Sequence, residues 1–186
     1  MPESANKYRK RTQMTGAYIK TYVYLFNVSY SSIKEAETEE REDVIFYRCM
    51  TSIVFLAFSI EAYLNHMGEE KLKYWKEDFE NLRPIAKLRL IMSRYSDIDF
   101  SRRPFQSFSD IFDIRNQLAH GKTVFAFDKY PKEPLAKWGK LCNVRTVKRL
   151  LDDTEKMIRF IHAKITNNTE VDPFDPGFKF YGFIQE

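Results

Sequence analysis

Between Arg48 and Glu61 the chain carries no charge, and this stretch limits the possible folds more than any other. It lies inside a longer helical pattern, residues 39–67. There Ile45, Cys49, Ile53, Leu56, Ile60, Tyr63 and Leu64 recur at three- and four-residue spacing. Phe46, Met50, Val54, Phe55 and Phe58 make the same helix apolar almost all round at its middle. Such a helix belongs at the centre of a bundle or in a dimer interface. Gly68 follows as a stop signal. The uncharged run is well short of the ~18 residues that a membrane span needs, so a core helix is expected and no membrane.

The remaining elements follow from the same periodicity. Tyr18, Tyr22, Leu25, Phe26, Ser29 and Ile33 give a helical stripe over 15–34. Residues 71–81 suit a short amphipathic helix. Pro84 and Pro104, residues favoured at helix starts, open two more, the first ending near Tyr95. Phe105, Phe108, Ile111, Phe112, Leu118 and Ala119 share a face of the second, and Gly121 closes it. The spacing of Val147, Leu150, Leu151, Thr154, Met157, Ile158, Ile161 and Ile165 predicts a helix over 144–166. Residues 123–127 have β propensity, and a short strand in the aromatic tail, 178–184, is placed beside them. The expected fold is an all-α, up-and-down bundle of four to five main helices, with at most a short β-hairpin-like element. Residues 1–11 read as a basic, flexible N-terminus. Residues 12–186 read as one domain, with an irregular tail from about 167.

A chain of 186 residues with 44% hydrophobic and 30% charged residues fits one folded domain. The net charge of +4 is too mild to imply a nucleic-acid partner by itself. Lys7, Arg9, Lys10, Arg11 and Lys20 make the start basic, which suits either a phosphate-contacting arm or a solvated terminus. Two cysteines, Cys49 and Cys142, are too few for a disulfide framework. The polar first residues do not read as a signal peptide, and a cytoplasmic location is expected.

One helix end departs from ordinary amphipathic design: Arg115-Asn116-Gln117-Leu118-Ala119-His120. Arg115 continues the stripe of Phe108, Ile111 and Phe112, and a guanidinium interrupting an apolar face needs a reason because unpaired buried charge is costly. At about 100° per residue, Arg115, Asn116 and His120 share less than half the circumference. An arginine offers a planar, forked donor set for phosphate, and histidine is the side chain suited to proton transfer near neutral pH. Cleaving an RNA phosphodiester without a metal needs both a base and an acid, and this segment holds one histidine. A two-fold dimer would supply two.

This segment resembles the HEPN (higher eukaryotes and prokaryotes nucleotide-binding) family, a four- to five-helix bundle marked by Arg, four to six residues, then His near the end of a late helix. Phe58-Ser59-Ile60-Glu61-Ala62-Tyr63-Leu64-Asn65 also resembles these proteins, in which a polar or acidic residue can face the motif. The resemblance covers roughly residues 44–122. It implies a metal-independent endoribonuclease with a composite site at a homodimer interface and RNA as substrate. The implied catalytic residues are Arg115, His120 and Asn116, with Glu61 supporting as the neighbour of Arg115. A toxin or defence role, and with it an antitoxin or other regulatory protein, comes with the same resemblance. Lys122 stands where many toxin members carry the Tyr modified by an inactivating partner, so regulation of that kind is not expected.

A structural reading stands beside the catalytic one: Arg115 pairs with Glu61, His120 ends the helix, and the domain is a non-catalytic dimerisation or nucleotide-binding module. Asn116 could orient His120 or a phosphate, or make a local backbone bond. His66 and His162 read as ordinary helix residues, and Asp110 and Asp113 as solvated charge. Arg102 and Arg103 could steer an RNA backbone or lie in a solvated loop. The tail could stack bases or pack on the bundle. No metal-ligand spacing and no Gly-rich phosphate loop appear, so neither a metal nor a cofactor is expected.

Overall fold

A computed structural model describes residues 12–17, 19–122, 138–175 and 179–184. Its main elements are five α-helices: α1 (Thr21–Thr38), α2 (Glu42–Lys71), α3 (Pro84–Met92), α4 (Phe105–Ala119) and α5 (Val144–Thr166). The architecture is the expected all-helical bundle. α2 touches each of the other four α-helices, which makes it the central element. Ile53, Leu56, Ala57, Tyr63 and Leu64 on α2 are fully buried.

The cover over α2 is incomplete. Phe46, Met50, Val54 and Phe55 are only half-buried, and Phe58 is 42% exposed. The strictly uncharged run also understates how apolar the helix is. By length and composition α2 could cross a membrane, because an 18-residue window of mean hydropathy 1.6 fits within it.

α1 and α2 run antiparallel in close contact, made possible by small residues. Ser29 Oγ and Ser52 Oγ share a buried hydrogen bond of 2.7 Å, and Ser59 Oγ donates to the Tyr22 carbonyl at 2.8 Å. Each buried hydroxyl thus has a partner and adds little bulk. The expected stripe holds at Tyr22, Phe26, Ser29 and Ile33, whereas Tyr18 lies outside the described residues.

The helix start at residue 15 is corrected. β1 (Thr12–Ala17) is a strand, paired antiparallel with β2 (Lys179–Ile184) in the register Thr12↔Ile184 to Ala17↔Lys179. Helical periodicity cannot see a partner so distant in the chain, and Gly16 is a poor helix former. The tail strand therefore pairs with the N-terminal segment, and the partner expected for it, 123–127, lies outside the described residues.

Gly68 does not stop α2, which continues to Lys71. Trp75 packs directly on it: a Cβ at Gly68 would lie 2.3 Å from Trp75 Cε2. The reversal passes through Tyr74, whose φ of 63° is left-handed, and residues 75–79 form a π-helical turn in place of the expected amphipathic helix. Here glycine serves close approach rather than termination.

α3 starts at Pro84, after an extended Arg83, and ends at Met92, short of the expected Tyr95. α5 has the expected bounds. Asn143 Oδ1 accepts the Thr146 N–H at 2.9 Å as its N-cap, and Asn167 at φ 51° ends it.

Candidate functional site

α4 is held to the bundle by Phe105, Phe108, Ile111 and Phe112, and by Ile114, which is 1% exposed. Burial of Ile114 brings the neighbouring Arg115 to the edge of the core, with its side chain 23% exposed. Phe112, a turn earlier, lies under the guanidinium, with Cζ 5.9 Å from the ring centroid.

The partner expected for this arginine is the one it has. Arg115 Nη2 donates to Glu61 Oε2 on α2 at 2.9 Å. Its other terminal nitrogen, Nη1, donates to Asn116 Oδ1 at 3.0 Å. Arg115 Nε is buried with no partner among the described residues. The Asn116 carbonyl accepts the backbone N–H of His120 at 2.9 Å, and both residues are exposed. His120 is the last residue before the chain turns away. A Cβ at Gly121 would sit 2.4 Å from the Gln117 carbonyl oxygen, so this exit excludes any residue with a side chain.

Lys87 on α3 escaped the reading from sequence. Its side chain is 2% exposed, and Nζ donates to Glu61 Oε1 at 3.3 Å and to Asn65 Oδ1 at 2.8 Å. Glu61 is thus shared by two cations, one on each oxygen, and the group carries one positive charge in excess. The signal was available: Lys87 sits among Leu88, Ile91 and Met92, as Arg115 sits on its own apolar face.

The two candidate RNA-steering arginines are used elsewhere. Arg103 Nε and Nη2 each donate to Asp153 at 2.7 Å, and Ser107 Oγ donates to the same carboxylate at 2.5 Å. Burial would raise the Asp153 pKa, but the Arg103 and Ser107 hydrogen bonds outweigh it and hold the carboxyl below its ordinary value. Arg102 is exposed and pairs with Asp99 at 3.3 Å. Asp110 is not simply solvated, since Arg149 reaches it at 3.4 Å.

His66 and His162 do not join the Arg115 group. The His66 ring lies 5.6 Å from that of Tyr22, with Nε2 3.9 Å from Glu70. Both ring nitrogens of His162 are buried and have no partner among the described residues, and burial is the main cause that lowers its pKa. Cys49 and Cys142 are free, buried thiols pushed by desolvation up to about 11, far from a reactive thiolate. Among the described residues no group of three or more His, Cys, Asp or Glu could hold a metal ion.

No family model matches the chain, and no curated protein or solved structure matches it. The chemistry of the site therefore rests on its own geometry. It consists of an arginine fixed by a carboxylate, with excess positive charge, bonded to an exposed amide near a helix end that the exposed His120 closes.

Proposed function

We propose that this chain is a HEPN-type, metal-independent endoribonuclease that acts as a homodimer, with the Arg115 and His120 pairs of two protomers forming one composite site. The observation that supports this most is the orientation of Arg115. Glu61 grips one terminal nitrogen, while the other faces the exposed Asn116. A guanidinium fixed in this way binds phosphate with little further loss of side-chain freedom.

In this reading one His120 takes the proton of the RNA 2′-hydroxyl as its oxygen attacks phosphorus. The partner's His120 gives a proton to the departing 5′-oxygen. The products are a 2′,3′-cyclic phosphate and a 5′-hydroxyl. Arg115 binds the non-bridging oxygens and stabilises the charge that builds on them. Asn116 holds the fork in register until phosphate arrives. In a toxin or defence setting, an antitoxin or other regulatory protein would keep the activity in check.

The test is cleavage of a mixed RNA substrate with EDTA present. His120→Ala and Arg115→Ala should each lose at least about 100-fold in rate, in line with loss of acid–base or charge-stabilising groups. An inactive wild type, or variants as active as it, would overturn the proposal.

One observation favours a second reading, a non-catalytic dimerisation or nucleotide-binding module. Arg115 already has partners on both terminal nitrogens, as a purely structural arginine would. Under that reading the chain is inert towards RNA, and overexpression does no harm whether or not His120 is present.

A further inference from the structure

Lys87 is nearly inaccessible, with its side chain 2% exposed against 26% for Glu61. Its ammonium has two acceptors, Glu61 Oε1 and Asn65 Oδ1, both from α2 and one helical turn apart. Asn65 is a neutral amide, so Glu61 is the one formal negative charge that Lys87 bonds. A buried ammonium that loses its carboxylate pays a large desolvation cost. Lys87 therefore fixes Oε1 of Glu61.

That restraint shapes the grip on Arg115. A free carboxylate facing a guanidinium tends to take it with both oxygens, through two parallel N–H···O bonds. Such a grip would neutralise the arginine and occupy the fork that a phosphate needs. Here one oxygen alone, Oε2, is available, and it holds Nη2. Nη1 is left to Asn116, a neutral and exposed side chain that an incoming anion can displace. The geometry points to Lys87 as a positioning residue: by holding Glu61 to a single-oxygen bond, it keeps Arg115 fixed, positively charged and open to a phosphodiester. This role rests on the phosphate-binding reading of Arg115 given above.

The test uses the full chain and a fluorescent 2′-O-methyl RNA oligonucleotide, which cannot be cleaved through its 2′-oxygen, with binding followed by anisotropy at fixed low salt. Lys87→Met should weaken binding by about tenfold, the scale of one lost charge-assisted hydrogen bond. In a Glu61→Gln background the same Lys87→Met change should cost less than about twofold, because no carboxylate remains to capture Arg115. A merely structural lysine would cost the same in both backgrounds, and that result, or no effect in either, overturns the role.

Should Lys87→Met not fold, Glu61→Gln alone still tests it. Removing the carboxylate that Lys87 holds against Arg115 should loosen the guanidinium and weaken RNA binding, and unchanged or tighter binding by the folded variant overturns the proposal. Arg115→Ala separates the two layers. If it leaves binding intact, the phosphate-binding reading falls and Lys87's role with it. If it abolishes binding while Lys87→Met does not weaken it, the Lys87 role alone falls.

Discussion

At each end of α4 an arginine reaches a carboxylate on another helix, and the two pairings are built differently. At the N-terminal end, Arg103 takes Asp153 with two nitrogens, and Ser107 adds a third donor to a carboxylate that is 2% exposed. Charge is balanced there and the carboxylate is saturated. At the C-terminal end, Glu61 is 26% exposed and divided between Lys87 and Arg115, each oxygen serving one cation. Positive charge is left over, and Arg115 keeps N–H groups beyond those its two partners use. A saturated pair fastens two helices together, whereas an unsaturated one can still take a ligand.

The largest expected effect breaks or upholds this contrast directly. Arg115→Ala should lower RNA cleavage by about 100-fold or more. Arg103→Ala should leave the rate within about threefold of wild type, because Arg103 lies outside the proposed chemistry. Single-turnover rates under EDTA measure both. Equal losses would mean that the two ends do not divide fastening from chemistry.

A smaller effect in the opposite sense is expected for stability. Asp153→Ala strands the buried Ser107 hydroxyl and removes the anchor of Arg103, at a cost of about 2 kcal/mol. The cost stays modest because Arg103 is 48% exposed and water can solvate it. Arg115→Ala should cost less, about 1 kcal/mol, since Glu61 keeps Lys87 as a partner. Urea denaturation at pH 7 orders the two. A larger loss for Arg115→Ala would make the Glu61 group the structural one.

How much of this was legible in the sequence depended on the range of the forces involved. α5 could be read to its bounds because an apolar stripe with a clean period is a local signal. Arg115 stood out because an unpaired charge on an apolar face is costly, and Glu61 as its neighbour came from the family resemblance that residues 58–65 carry. Lys87 obeyed the same rule on α3 and was missed, since one lysine in a nine-residue helix is easily taken for its solvated side. Gly68 misled because a glycine that ends a helix and a glycine that admits Trp75 look alike until the reversal at Tyr74 is known. The β1–β2 pairing joins the two ends of the chain, beyond the reach of any local pattern. Asp153, buried among apolar residues of α5, drew no notice, although it is the acid that holds Arg103.

The contrast between satisfied and unsatisfied polar groups recurs along α5, and it sets the order of events on acidification. Asp153 and His162 lie on one helix, yet the carboxylate takes three hydrogen bonds while both nitrogens of the imidazole lack partners among the described residues. Burial lowers the His162 pKa below its ordinary 6.5; Lys20, His66 and Lys71 act in the same direction, and Glu70 opposes them. Below pH 6.5 the unfolded chain binds a proton at this site that the folded chain refuses, so stability falls as the pH drops and levels off below the folded pKa. His66, lowered mainly by its own burial, adds in the same sense, but less because its side chain is 43% exposed. Asp153 has its pKa lowered instead, so its contribution holds down to the carboxylate range and is lost only as the pH falls through a value below 3.8. Two acid steps are therefore expected, the histidine step first. His162→Asn should flatten most of the decline in urea midpoint between pH 7.5 and 5.5 and leave the steeper loss below pH 4 in place. A His162→Asn variant that still declined as the wild type does between pH 7.5 and 5.5 would move the first step to another group, and His66→Asn would then be the variant to compare.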